Sequence, residues 1–161
     1  MAKFAKRVGR EIHLPLPARI RGVSGLTLGG TRGLVDACLN QKGKGHLILH
    51  VGANDIGLLS SYSWLRELEA VVFYIRARFP GYKIYWSDML PRRVWRHGNK
   101  RQEERKRRRL QRRARRLFLS EGGGVIRHPL LTRDDDLISD DGVHLGLIGQ
   151  EILIRDFSMF F

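Results

Sequence analysis

His46-Leu47-Ile48-Leu49-His50-Val51-Gly52, read together with Tyr82-Lys83-Ile84-Tyr85-Trp86-Ser87, decides the fold. The first run is short, apolar and closed by glycine, the pattern of a buried parallel strand entering a loop. The second is rich in aromatic and β-branched residues and is ended by Asp88 and then Pro91. Between them Trp64, Leu65, Leu68, Val71, Val72, Ile75 and Phe79 recur at spacings of three and four. That period predicts an amphipathic helix from Ser61 to Phe79, stopped by Pro80-Gly81.

The pattern continues outward. Gly124-Val125-Ile126-Arg127 reads as a third short strand and Ala18-Arg19-Ile20-Arg21-Gly22-Val23 as a weaker fourth. The arginine-rich stretch carries a thin apolar stripe, Leu110, Ala114, Leu117 and Phe118, and reads as a helix with one face docked. Leu147 to Phe157 reads as the last helix, with Ile148, Ile152 and Phe157 facing inward. Strands alternating with helices imply an α/β fold, a flavodoxin-like three-layer α/β/α sandwich around a parallel sheet, with ligands bound at the carboxyl ends of the strands. Those ends are the loops after Val23, Val51, Ser87 and Arg127.

A chain of 161 residues, 42% apolar and 29% charged, is sized for one domain with a packed core. No stretch has the roughly 18 apolar residues of a membrane span, and Met1-Ala2-Lys3-Phe4-Ala5-Lys6-Arg7 has no apolar signal core behind its charges. A cytoplasmic or nuclear location is expected. The single cysteine, Cys38, makes no internal disulfide and reads as an inert thiol on a buried helix face. The net charge of +14 favours anionic partners, and most of it lies in one tract. From Arg92 to Arg116 there are fourteen Lys and Arg against Glu103 and Glu104. Arg105, Lys106, Arg108, Arg109, Arg112, Arg113 and Arg116 are therefore candidates for nonspecific nucleic-acid binding. A solvated helix face explains the same tract, and Trp95 is its sole aromatic, so base stacking is expected to be weak.

Three segments carry candidate chemistry: Gly22-Val23-Ser24-Gly25-Leu26-Thr27, Val51-Gly52-Ala53-Asn54-Asp55 and Asp141-Gly142-Val143-His144. Taken singly, each has a plain reading. Asn54-Asp55 suits an Asx turn after a strand, Asp141 could cap a helix with His144 exposed in its first turn, and Ser24-Gly25 says little. In this order, at strand exits, they resemble blocks two, three and five of the SGNH (GDSL-like) hydrolase superfamily. Ile84 to Arg92 is similar to the branch near the platelet-activating-factor acetylhydrolases. The Gly-Ala-Asn-Asp and Asp-Gly-Val-His wording is similar to SGNH domains of vertebrate retroelements. The resemblance implies an ester or acetyl-ester hydrolase acting on a small ester with no cofactor. It implies His144 as base, Asp141 as its orienter, an oxyanion hole of the Gly25 N–H and the Asn54 amide, and Gly52 and Asp55 in support. The chemistry suits these residues, because a carboxylate fixes the tautomer of an imidazole base and donors already in place receive the negative oxygen.

The first block of that family, a Gly-x-Ser carrying the nucleophile, has no counterpart here. None of Met1 to Val23 is Ser, Thr or Cys. Met1 to Arg10 reads as the helix that would follow that block, so the domain is expected to be truncated, to lack an interior strand of its sheet, to be inactive alone and to be marginally stable. Ser24, Thr27, Ser60, Ser61, Ser63 and Ser87 lack the sharp strand-to-helix turn that presents a nucleophile. Asp134, Asp135, Asp136, Asp140 and Asp141 form a carboxylate run that more often solvates a surface turn than holds a metal. His13, His46, His50, His97 and His128 are scattered, without zinc-ligand spacing, and no metal site is assigned. There is no phosphate-binding or dinucleotide fingerprint. No feature of the sequence sets an oligomeric state.

Overall fold

A computed structural model describes residues 18–161. Its elements alternate: α1 (Leu28–Cys38), β1 (Gly45–Leu49), α2 (Ser61–Arg78), β2 (Tyr82–Ser87), α3 (Lys100–Ser120), β3 (Gly124–Ile126) and α4 (Leu147–Phe160). The strands form one sheet in the order β1-β2-β3, parallel throughout, with Leu49 opposite Trp86 and Ser87 opposite Ile126. This is the α/β architecture expected from the alternation.

Helix α2 begins where Ser60 Oγ accepts the Ser63 N–H at 3.1 Å and ends ahead of Pro80, as the sequence requires. Its stripe of Trp64, Leu68, Val71, Val72 and Ile75 is fully buried. It packs with Leu28 and Val35 of α1, with Ile84 and Trp86 of β2, and with Leu110, Ala114 and Phe118 of α3. Tyr85 points to the other face, where its ring meets Phe160 at 5.2 Å. Because β2 is covered on both faces, Ile84 through Ser87 are all buried, which accounts for its unbroken run of large side chains. Three layers result: α1 to α3, the sheet, and α4.

Four expectations are corrected. Ala18 to Val23 forms no strand; it is exposed chain leading into a turn closed by the Leu26 N–H on the Val23 carbonyl at 3.2 Å. Cys38 is exposed, since the docked stripe of α1, Leu28, Thr31 and Val35, stops one turn earlier. Ile148 is 67% exposed. Gly149 instead lies against the Leu137 carbonyl, and this fixes the rotation of α4 so that Leu153 turns inward. Asp141 caps no helix, because α4 starts only at Leu147 behind Gly146. The helix read at Met1 to Arg10 lies outside the described residues. No helix among those described is long and apolar enough to cross a membrane.

Candidate functional site

The turn from Asp141 to His144 is built by one carboxylate. Asp141 Oδ1 accepts from the backbone N–H of Val143 (2.9 Å) and of His144 (2.8 Å) and from the Ser139 hydroxyl (2.8 Å), while Oδ2 meets His144 Nδ1 at 2.5 Å. Gly142 permits the turn with φ 71°, and a Cβ there would lie 2.6 Å from the Val94 side chain. Partial desolvation pushes the Asp141 carboxyl up. The hydrogen bonds from His144, Val143 and Ser139 together outweigh it and hold the group well below the usual carboxylate range. An ionised Asp141 makes Nδ1 of a neutral His144 the donor and leaves Nε2 as the basic nitrogen. The His144 ring lines a cleft of about 300 Å³.

Gly25, Gly52 and Asn54 line the same cleft. Gly25 takes φ 72° in the turn ahead of α1, and Gly52 takes φ 97° where β1 ends. A Cβ at Gly52 would lie 2.7 Å from the Trp64 ring, whose Nε1 donates to the Gly52 carbonyl at 2.9 Å. Beyond Gly52 the chain turns so that two adjacent side chains clamp the start of α1. Asn54 Nδ2 donates to the Leu26 carbonyl at 2.9 Å, and buried Asp55 accepts the Leu28 N–H at 3.0 Å. Asp55 thereby satisfies one first-turn N–H of α1, while Thr27, its N-cap, accepts the Gly30 N–H. Burial raises the Asp55 pKa, the Leu28 N–H works in the opposite direction, and Glu67 adds to the rise.

The segment after β2 joins these halves, a role that pattern reading missed. Arg92 Nη2 donates to Asn54 Oδ1 at 2.8 Å, and its guanidinium stacks 5.1 Å from the Trp95 ring. The N–H groups of Arg93 and Val94 donate to the Gly142 carbonyl at 2.8 and 3.0 Å. Arg93 Nη2 also reaches the carbonyls of Ile138 (3.1 Å) and Ser139 (2.5 Å). Glu104 on α3 anchors the strap, accepting the Arg92 N–H at 2.8 Å and Trp95 Nε1 at 3.1 Å. The available signal was position: Arg92 directly follows Pro91 at a strand exit, ahead of the helical tract.

His50 also lines the cleft and keeps an open face toward it. Surrounding protein, then His128 and Arg92, pull its pKa down to about 4. Its Nδ1 lies 2.8 Å from Ser87 Oγ, which lies 2.8 Å from His128 Nε2, whose Nδ1 lies 2.9 Å from Asp156 Oδ2. Ser87 is fully buried and held between two imidazoles, not presented as a nucleophile.

The basic candidates divide on α3. Arg105, Arg108, Arg109, Arg112, Arg113 and Arg116 are exposed, whereas Lys106 turns inward onto the carbonyls of Ile56 (2.6 Å) and Leu59 (2.5 Å). Arg107 pairs with Glu104, and Arg115 with Asp88. Among the described residues no three His, Cys, Asp or Glu side chains converge as a metal site. Asp134 instead caps a short turn by accepting the Asp136 N–H at 2.9 Å.

Comparison with known proteins agrees with this fold. The model of the GDSL-like lipase/acylhydrolase family matches residues 2–152. A GDSL-like lipase from Bacteroides thetaiotaomicron superposes with a TM-score of 0.72 at 16% identity, covering 87% of this chain and 73% of that one. A family 3 carbohydrate esterase from Clostridium thermocellum gives 0.63 at 19%, covering 84% and 65%. The esterase domain of the ORF1 protein from a zebrafish retrotransposon gives 0.54 at 23%, covering 84% and 82%. At these identities the likeness concerns the fold. No curated protein matches the sequence significantly.

Proposed function

The chain belongs to the GDSL-like lipase/acylhydrolase family, and from that premise we propose that its cleft is the acid–base and oxyanion half of a serine ester hydrolase for small acyl esters. The observation that carries this reading is the convergence of the Asp141-ordered His144 ring, Gly25 and Asn54 on one cleft. In the proposed mechanism His144 Nε2 takes the proton of an attacking serine hydroxyl and later returns it to the leaving alcohol, with Asp141 holding the imidazole through both steps. The carbonyl oxygen, as it becomes negative, is received by the Gly25 N–H and the second hydrogen of the Asn54 amide. Arg92 fixes that amide by occupying Asn54 Oδ1.

The serine is missing from this sequence ahead of Ser24, so the 161-residue chain alone does not turn over esters in this proposal. Fusing a Gly-x-Ser block ahead of residue 1 supplies it. The half-site is testable without a nucleophile, because the acid product is a carboxylate that suits the same donors. In 15N NMR spectra, acetate is expected to shift the Gly25 N–H and the Asn54 side-chain amide of the wild type. Shifts elsewhere, or shifts that persist unchanged in Asn54→Ala, contradict the assignment.

A second reading concerns a different surface. The exposed arginines of α3 are favoured as a phosphate-binding face because they turn to solvent, while Glu104 and Asp88 pair with Arg107 and Arg115. Such binding follows backbone charge and is insensitive to sequence.

A further inference from the structure

Behind the cleft a row of four polar side chains crosses the carboxyl ends of the sheet. His50 follows β1, Ser87 ends β2, His128 follows β3 and Asp156 lies on α4. Three hydrogen bonds of 2.8, 2.8 and 2.9 Å join them. One end opens on the cleft and the other is a carboxylate.

We infer that His50 is a second proton acceptor of the cleft, taking a proton from a bound hydroxyl group, water or alcohol, and that Ser87, His128 and Asp156 relay that proton out of the cleft.

Hydrogen counting fixes the resting state. Ionised Asp156 only accepts, so His128 Nδ1 carries the hydrogen and, in a neutral ring, Nε2 accepts. The acceptor at His128 Nε2 takes the Ser87 hydroxyl hydrogen. Ser87 Oγ then accepts from His50, whose Nδ1 must carry a hydrogen, leaving the lone pair on Nε2. Adding one proton reverses the row. The proton enters at His50 Nε2, the Nδ1 hydrogen passes to Ser87 Oγ, and the Ser87 hydrogen passes to His128 Nε2. His50 ends neutral with the hydrogen on Nε2, Ser87 is unchanged in charge, and His128 is an imidazolium beside Asp156. One proton enters and one positive charge appears.

The final placement sets the charge beside a carboxylate. A charge at His50 would be partly desolvated by the surrounding protein and would face His128 and Arg92, which together draw its pKa down to about 4. A charge at His128 faces Asp156 at 2.9 Å. His144, the other imidazole of the cleft, is ordered separately by Asp141, so the two proton acceptors are independent.

Imidazole 15N NMR of the intact chain through an acid titration tests the relay. At neutral pH His50 is expected as the Nδ1–H tautomer. As pH falls it converts to neutral Nε2–H in the same transition in which His128 becomes imidazolium. An Nε2–H tautomer at neutral pH, or direct conversion of His50 to imidazolium, overturns the inference. Ser87→Ala is expected to uncouple the two rings, and a joint transition surviving in that variant also overturns it. Should Ser87→Ala not fold, Asp156→Asn carries the test, since it replaces a side chain at the outer end of the row. The joint transition then moves to lower pH, because one close counter-charge is lost; an unmoved transition refutes the relay.

Discussion

Arg92 Nη2 donates to Asn54 Oδ1 at 2.8 Å, joining residues thirty-eight apart in sequence. Asn54 Nδ2 is at the same time bound to the Leu26 carbonyl at 2.9 Å. The amide is thus held at both ends, and the arginine decides which way it faces. In a form supplied with the serine block, Arg92→Ala is expected to lower kcat by about tenfold. That is less than the 100-fold or more typical when an oxyanion donor is itself removed, because the amide remains but is no longer held. Arg92→Lys keeps the charge and loses the planar fork, and should recover only part of the rate. Unchanged kcat in Arg92→Ala would show that Asn54 needs no such support.

Asp141 carries a second prediction. Its folded-state pKa lies below the unfolded value of about 3.9, so the unfolded chain takes up the proton first as pH falls. The stabilisation is complete above about pH 4 and is lost as pH drops toward the folded value. Asp141→Asn should therefore lower the melting temperature at neutral pH and flatten its fall below about pH 4. The group is on the surface, so the effect is small and is read as a difference between parallel melts. Identical acid limbs in wild type and Asp141→Asn would contradict it.

The glycines offer a contrast in stability. Gly52→Ala meets both a positive φ and the Trp64 ring at 2.7 Å, whereas Gly25→Ala has the positive φ with no atom within 4 Å of the new Cβ. The strain alone costs about 1–2 kcal/mol, and overpacking at Gly52 adds about 1–3 kcal/mol. Urea melts should rank Gly52→Ala clearly below Gly25→Ala; equal losses would mean that the Trp64 contact relaxes freely.

Local patterns in the sequence were legible, and contacts between distant residues were not. Strands β1 and β2 and helix α2 follow from burial on two faces or one, which leaves a period in the chain. The Asp141 to His144 pair is legible because three residues and one glycine suffice to close it. Arg92 was obscured by the basic tract beside it. Its partner Asn54 lies on another loop, and no period links them. Ser87, His128 and Asp156 are likewise separated by 41 and 28 residues. Ile148 was misread because helix rotation is set by the close approach of Gly149 to a carbonyl, a contact that periodicity does not encode.

The basic face of α3 yields a prediction by salt dependence. Binding of duplex DNA or RNA by the wild type should weaken linearly in log–log form, with each duplex-DNA phosphate contact contributing about 0.9 to the slope. Replacing Arg109, Arg112 and Arg113 by Glu should reduce the slope and the affinity for all sequences alike, while Lys106→Ala, at an inward side chain, should act on stability instead. A flat salt series for the wild type would exclude this surface.

The esterase reading is tested most directly by turnover of p-nitrophenyl acetate by three proteins: the 161-residue chain, the same chain with a Gly-x-Ser block fused ahead of residue 1, and that fusion carrying His144→Ala. No turnover is expected from the first, clear turnover from the second, and a loss of about a thousandfold or more in the third. A folded fusion without activity, or turnover indifferent to His144, would contradict it.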